Sequence, residues 1–490
     1  MKTYKDYLPR AEERFGAVRE LQKEGLICDD GEFVPSVHYP PITQYDDASP
    51  GEALDTYTQP ADGMMDIYVH FPFCIQSCTF CHYPGLVGDQ PAEKEKYLKY
   101  LKKEFEIYYR RFQIERLRPR SVLIGGGTPT YLPPAMLEDF LRFFTQKVDL
   151  SGCKQFNYDV DPNSLIGDNG KKRLEIMRAY GVTRLTIGAQ SFDDQVLKRM
   201  NRAHSAAAAA EAIENTKSFG FDLNIEFIYG HPGETLENWT EVIQKAVTMN
   251  TDEIQLYRLK VLAYGDKQGH IINQRDAIPD FEQTMKMKQI AIEILNENGW
   301  FENLRRVYTK HKKNISHYAY NQCCNLYDQV GFGLTGFSSY RDRFMINTQY
   351  FDKYYGAIDN DTLPITRCII RSPEQQLRRS IILPLKNMDV KKAAFEKLNG
   401  VKLEQVFTEK MKNLKAFGLI EENERGIKLT GLGSFVADEV VEQFNSVEFI
   451  PFERSRYAEG SLNPYLHNST ADAFGAADAF GAAGFGNDKK

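Results

Sequence analysis

The chain lacks what would place it in a membrane or on nucleic acid. No segment is an apolar run of membrane-spanning length. The opening stretch MKTYKDYLPRAEERFGAVRELQKEGL carries charges every few residues and has no apolar core of signal-peptide length. Both absences lead to an expected cytoplasmic location and no membrane partner. Nor is there a basic excess. The formal net charge is -6, and Lys and Arg are scattered through amphipathic segments, so no electrostatic footprint for nucleic acid is expected. Cysteine is sparse, eight in 490 residues, and in a reducing compartment clustered thiols point to metal or redox chemistry before disulfides. What is present is 42% apolar composition, enough for one large domain and a smaller one.

Short runs rich in β-branched and apolar residues, DIYVHF, SVLIGGG, QFNYDV, RLTIGAQ, DLNIEFIYG and EIQLYRL, alternate with helical patterns such as EKEKYLKYLKKEFEIYYRRF and TLENWTEVIQKAVTMN. Six strand-helix units imply an α/β fold with a parallel sheet, either doubly wound or a partial barrel. Both place chemistry at the C-terminal strand ends. A helical run follows near Phe281 to Asn298, then a Gly- and aromatic-rich segment. Two helices then flank the hairpin LIEENERGIKLT, a winged-helix-like unit expected to act as a packing lid over the barrel. The tail repeats ADAFGA, is too small and Gly-rich to form a core, and is expected to be disordered.

Chemistry-bearing residues collect after successive strands. Cys74, Cys78 and Cys81 follow the first, Gly125, Gly126 and Gly127 the second, and Asp159 and Asp161 end the third. Gln190 ends the fourth, and Asn224, Glu226, Gly230 and Pro232 mark the fifth. Thiolates are the usual ligands of iron-sulfur clusters, and three thiols leave one iron of a four-iron cluster open for a substrate or cofactor. Zinc is the competing reading; it needs a fourth ligand, and His82 abuts Cys81 too closely to serve well. Cys28, Cys153, Cys323, Cys324 and Cys368 lack such spacing and read as small buried residues.

The C-x3-C-x2-C spacing resembles that of the radical S-adenosylmethionine (SAM) enzymes. The surrounding motifs YVHFPFC, GGGTPTYL, GAQSFDDQVLKRMNRAHS and IYGHPGETLENW narrow the resemblance to the oxygen-independent coproporphyrinogen III oxidase-like family, which also contains heme chaperones and class C methyltransferases. The likeness runs from about Tyr68 to Trp239 and continues more weakly through VGFGLTGFSSYRDRFMINTQYFDKYY. It implies a partial (β/α)6 radical SAM barrel with a C-terminal, mainly helical, winged-helix-like domain. The corresponding boundaries are an N-terminal extension over 1–62, the barrel over 63–270, a barrel-completing and substrate-covering segment over 271–360, the C-terminal domain over 361–450 and the tail over 451–490. The resemblance also implies that Cys74, Cys78 and Cys81 hold a [4Fe-4S] cluster whose fourth iron binds SAM. Gly125, Gly126, Gly127, Thr128, Asp159, Gln190, Arg202 and Glu226 fall at SAM-binding positions, and Tyr68 and His70 at catalytic ones. Asp159 stands where the family typically has Glu.

Within the family three outcomes differ. Class C alkylation, methylation or cyclopropanation of an sp2 carbon with a second SAM, is the leading expectation. NRAHS and a loop with Tyr83, where the oxidases usually carry a fourth cysteine, resemble this branch or the chaperone branch more than the oxidases. Oxidative decarboxylation of coproporphyrinogen III propionates is the alternative. A heme-binding chaperone is an alternative of another class, with His204, His231, His311 or His317 as ligand. The expected partners are a small substrate with an sp2 carbon or a tetrapyrrole, and an electron donor such as flavodoxin or ferredoxin. Substrate contacts are expected between Arg305 and Tyr355.

Overall fold

The computed structural model describes residues 2–28, 31, 33, 36–42, 45–60, 63–81, 83–260 and 278–446. The ADAFGA repeat and the start of the 271–360 segment lie outside the described residues.

Six parallel strands follow the six sequence runs: β1 Asp66–Phe71, β2 Ser121–Gly126, β3 Gln155–Val160, β4 Arg184–Gln190, β5 Asp222–Tyr229 and β6 Glu253–Arg258. Helices α1 Pro91–Phe112, α2 Pro134–Lys147, α3 Gly167–Ala179, α4 Ala206–Ser218 and α5 Leu236–Thr248 supply the crossovers, and α6 Phe281–Glu297 follows β6. Their starts are chemically marked. Pro91 opens α1, Ser205 accepts from the Ala208 amide at 3.1 Å, and Thr235 and Asn238 form a capping box.

The strands alternate with period two. Ile67, Val69, Phe71, Val122, Ile124, Phe156, Tyr158, Leu185, Ile187, Leu223, Ile225, Phe227, Ile254 and Leu256 are buried in the main apolar core. The residues between them point the other way, into the barrel, and are mostly polar: Asp66, Tyr68, His70, Asn157, Asp159, Arg184, Thr186, Asn224, Glu226, Glu253, Gln255 and Tyr257. The cross-strand register, Ile67 with Val122, Val122 with Phe156, Leu185 with Leu223 and Ile225 with Ile254, keeps each set on its own side.

The sheet is larger than the six runs suggest. Among the described residues it has thirteen strands. Beyond β6 lies the hairpin β7 Phe301–Leu304 and β8 Val307–Thr309. Beyond β1 lie parallel β9 Gln329–Phe332 and then antiparallel β10 Phe337–Ser339, β11 Arg343–Asn347 and β12 Ile365–Ile370, with Asp46–Asp47 on the edge. The C-terminal unit carries the wing as a three-stranded sheet, β13 Asp389–Lys391, β14 Ile420–Glu422 and β15 Gly426–Leu429, together with helix α7 Pro373–Asn387.

The C-terminal unit ties the two limbs of the sheet together. Asp438 pairs with Arg305 and Arg306 in the β7–β8 turn and with Lys386 of α7 at 3.0 Å. Arg379 of α7 reaches Ser339 at the end of β10. The N-terminal segment joins the closure, for the Ser36 amide donates to Glu442 at 2.9 Å and the hydroxyls of Tyr39 and Ser446 lie 2.8 Å apart.

Burying charge inside a barrel requires pairing. Arg184 donates from Nε to Glu253 at 2.8 Å and from Nη1 to Asn157 and Thr186 at 3.2 and 3.0 Å. Glu253→Ala is expected to cost about 3–5 kcal/mol by leaving Arg184 uncompensated, whereas Arg184→Met with Glu253→Leu recovers most of the loss. Urea denaturation of the single and double variants checks this; a single variant within 1 kcal/mol of the parent would remove the pair's role.

Candidate active site at the C-terminal strand ends

The loop after β1 brings Cys74, Cys78 and Cys81 over the barrel mouth, all three half-buried and outside any disulfide. Two staples hold it. Phe73–Cys74 pairs with Leu86–Val87, and the turn at Asn201 clamps the other side: Asn201 Nδ2 donates to Ser77 O at 2.6 Å, the Thr79 amide donates to Met200 O at 3.1 Å, and Gln76 donates to Asn201 O. Burial and the neighbouring Cys81 and Cys78 push the Cys74 thiol up to about 12, the expected cost of packing thiols together before a metal deprotonates them.

Arg202 joins three loops. Its Nη1 donates to Cys78 Sγ at 3.2 Å, and its Nη2 donates to Asp161 at 2.7 Å and Gly188 O at 3.1 Å. One cation thus faces the cluster loop, the end of β3 and the end of β4. His204 sits behind it, buried, with Nε2 3.0 Å from Ala189 O and Nδ1 3.9 Å from Asp161.

Each glycine after β2 leaves room for a particular group. A Cβ on Gly125 would stand 2.5 Å from the Asp159 carboxylate, one on Gly126 2.8 Å from the His70 ring, and one on Gly127 2.9 Å from Cys74 Sγ. Gly126 also has φ +111°, a conformation side chains avoid. Thr128 Oγ1 lies 3.9 Å from Cys74 Sγ.

Tyr68 and His70, two apart on β1, share the inner face, and the tyrosine hydroxyl meets His70 Nδ1 at 2.9 Å. Burial pushes the His70 imidazole down to about 3, so it is neutral. Asp159 is raised to about 8 by burial and by nearby Glu226, against the pull of Arg184. Glu226 is raised to about 7 by burial, opposed by the Tyr257 hydroxyl, which donates to it at 3.3 Å. Gln190 closes β4 with φ +63° beside a break in the β4–β5 register, which turns its side chain toward Gly188 and Arg202.

Several buried polar atoms here have no partner among the described residues: His70 Nε2, Gln190 Oε1 and Arg202 Nε. Unmade hydrogen bonds in a polar, water-poor pocket are what a polar ligand would satisfy. The same residues offer soft thiolate donors, two carboxyls suited to a cationic ligand, and a backbone free of side chains. They therefore fit a thiolate-held iron-sulfur cluster with SAM. Among the described residues no three His, Cys, Asp or Glu side chains gather as tightly as a single metal ion requires. In a four-iron cluster each thiolate holds a different iron, so its ligands stand farther apart than those of one ion.

The chain matches the radical SAM superfamily over residues 68–246. It is 24% identical over 423 residues to the oxygen-independent coproporphyrinogen III oxidase of Pseudomonas aeruginosa, covering 80% of this chain and 88% of that protein. It is 25% identical to the heme chaperone HemW of Bacillus subtilis, covering 78% and 99%. The solved structure of HemN from Escherichia coli shares the fold, with TM-score 0.70, 22% identity and coverage of 83% and 96%. Residues 68–246 thus form a radical SAM domain, and the chain as a whole is similar to the oxygen-independent coproporphyrinogen III oxidases and heme chaperones. It is a radical SAM enzyme, and a [4Fe-4S] cluster and SAM are its cofactors.

The leading expectation of class C alkylation gains no support from these curated relatives, which are oxidases and heme chaperones. No helix among the described residues is long and apolar enough to cross a membrane. Of the histidines considered as heme ligands, His231 is fully buried against Phe80, His204 is held as described, and His311 is exposed. Asn224 does not join the mouth; it donates to Gln255 at 3.1 Å deeper in the barrel. Gly230 and Pro232 belong to a local turn, where the Glu234 carboxylate takes the Gly230 amide at 2.6 Å and Pro232 O accepts from Arg199 at 3.1 Å. Sequence reasoning gave no role to Tyr257 or Gly188, although inward alternation along β6 and β4 marks both. A cavity of about 1120 Å3 lies on the opposite face, lined by Met64, Arg120, Tyr327 and Asp389 among others, and shares no residue with this site.

Asp159 and Glu226 carry raised pKa values in the folded chain, so their contribution to stability is complete below about pH 4 and is lost as pH rises through about 8. Asp159→Asn removes its share. Relative to the parent, the cofactor-free variant should gain stability between pH 5 and 8, by up to about 1.4 kcal/mol per pH unit. Urea midpoints that run parallel for the two proteins across that range would refute the shift.

Proposed function

We propose that this enzyme abstracts a hydrogen atom from a tetrapyrrole bearing carboxylate side chains, in the manner of coproporphyrinogen III oxidation. The supporting observation is the continuity of the barrel's inner face. From Tyr68 beside the cluster loop it passes to Phe337, with rings 4.8 Å apart, then to Phe344, stacked on Phe337 at 5.6 Å and 8°. The inner face thus continues from the reactive end as a row of aromatic rings, the chemistry suited to a multi-ring substrate. The curated relatives that act on coproporphyrinogen III support the same reading.

Under this proposal Cys74, Cys78 and Cys81 hold the cluster, and Arg202 offsets the charge of the Cys78 thiolate. Gly125, Gly126, Gly127 and Thr128 let SAM lie against bare backbone, while Asp159, Gln190 and Glu226 supply its polar contacts. A cluster and SAM bound there would supply the one-electron chemistry for hydrogen abstraction. Tyr68 and His70 orient the substrate beside it, and their hydroxyl-imidazole hydrogen bond offers a local proton path. Burial of this end excludes water.

Tyr83 supports a second reading. It occupies the position of the oxidases' fourth cysteine, is 45% exposed, and lies with its ring 6.4 Å from His70. The missing fourth cysteine there is the feature that favours alkylation with a second SAM over decarboxylation.

The reconstituted, reduced protein given SAM and coproporphyrinogen III is expected to form 5′-deoxyadenosine and decarboxylated product without S-adenosylhomocysteine. Equal amounts of the two nucleosides would replace this reading with alkylation. Heme binding with no substrate-dependent 5′-deoxyadenosine would replace it with chaperoning. Cys74→Ala, Cys78→Ala and Cys81→Ala should each reduce bound iron and sulfide and bring 5′-deoxyadenosine to background; a fully loaded, active variant would remove that cysteine from the cluster.

A further inference from the structure

Among the described residues, one buried cation between α7 and β10 has no counter-ion. Arg379, on α7, is 1% exposed. Its Nη2 makes one long contact, 3.4 Å to Ser339 Oγ, and its Nη1 has no hydrogen-bond partner. Other buried cations nearby are compensated. Lys386 meets Asp438 and Ser36 O, Arg305 and Arg306 meet Asp438, and Arg371 donates to the carbonyls of Tyr39, Tyr340 and Arg343. Asp328 lies within electrostatic reach of Arg379 but forms no ion pair with it.

The position of Arg379 follows from strand register. Asp66 pairs with Gln329 across β1 and β9, and Gln329 pairs with Ser339 across β9 and β10. Paired residues face the same way, so Ser339 lies on the face that carries Asp66, Tyr68 and His70. Phe337 and Phe344 belong to the same face, and His38 covers them, 5.2 Å from the one ring and 4.3 Å from the other. The guanidinium therefore stands at the far end of the aromatic wall that begins at Tyr68. Arg371 adds a second positive charge beside it.

An unmade hydrogen bond on a buried guanidinium is costly, and the fork of a guanidinium matches the two oxygens of a carboxylate. We propose that Arg379 anchors a carboxylate side chain of the substrate, fixing which end of the ring system reaches the cluster. This deepens the function proposed above and rests on it. Arg379 is a positioning residue, at a distance from the reacting carbon.

The test is binding of coproporphyrin III and its tetramethyl ester to the full-length protein, followed by porphyrin fluorescence. The wild type should prefer the acid by at least about 10-fold. Arg379→Gln should weaken acid binding about 10- to 150-fold, the range of a charged hydrogen bond, and level the preference. Arg379→Lys, which keeps the charge and loses the fork, should fall between. A wild type that binds both forms equally overturns the anchor, whatever the variants do. An Arg379→Gln protein that keeps the acid preference overturns it too, with the function left standing. A wild type that binds neither form overturns the function and the anchor together.

Discussion

The constraint on which this molecule rests is the cost of placing polar groups inside a barrel that water does not freely enter. Parallel strands buried on both sides are usually apolar on both. Here one side of every central strand is apolar and the other is not. The outward residues pack the helices, and the inward ones must find partners among themselves. Arg184 with Glu253 solves the problem at the floor, and Arg202 with Asp161 and Cys78 solves it at the mouth. Between these solved points stand atoms without partners among the described residues, the positions a polar ligand would satisfy.

The same constraint separates binding from scaffolding. Burial raises both Asp159 and Glu226, and Glu226 raises Asp159 further, an arrangement that a positive ligand would make favourable. Glycines 125 to 127 follow the same logic in steric form. Each gives up a side chain so that a carboxylate, an imidazole or a thiol can occupy the space.

Much of this was legible in the sequence. The six central strands stand where the apolar runs place them, and the loops after them converge on one mouth, because alternation and turn residues are local signals. The antiparallel extension was not legible. VGFGLTGFSSYRDRFMIN reads as irregular, since its strands are short and their pairing depends on β1 and β12 far away in sequence. Arg202 was legible as a polar residue in a motif, but its three-way role was not, because it depends on where Cys78, Asp161 and Gly188 come together. The placement of Gln190 depends on a positive φ at a register break, which no residue type announces. No local signal marks Arg379; only the closure of the C-terminal unit against β10 makes it a buried charge.

That closure also dictates an order of assembly. Ser36 with Glu442 and Tyr39 with Ser446 are contacts between opposite ends of the chain, and they seal the side of the barrel that the sheet leaves open. Such long-range contacts pay the full entropy of loop closure and form late. A ribosome-bound chain that has emitted all six parallel strands therefore still has an unsealed flank. The loop with Cys74, Cys78 and Cys81 is complete hundreds of residues before the wall that shields it, so its thiols stay accessible until the last segment docks.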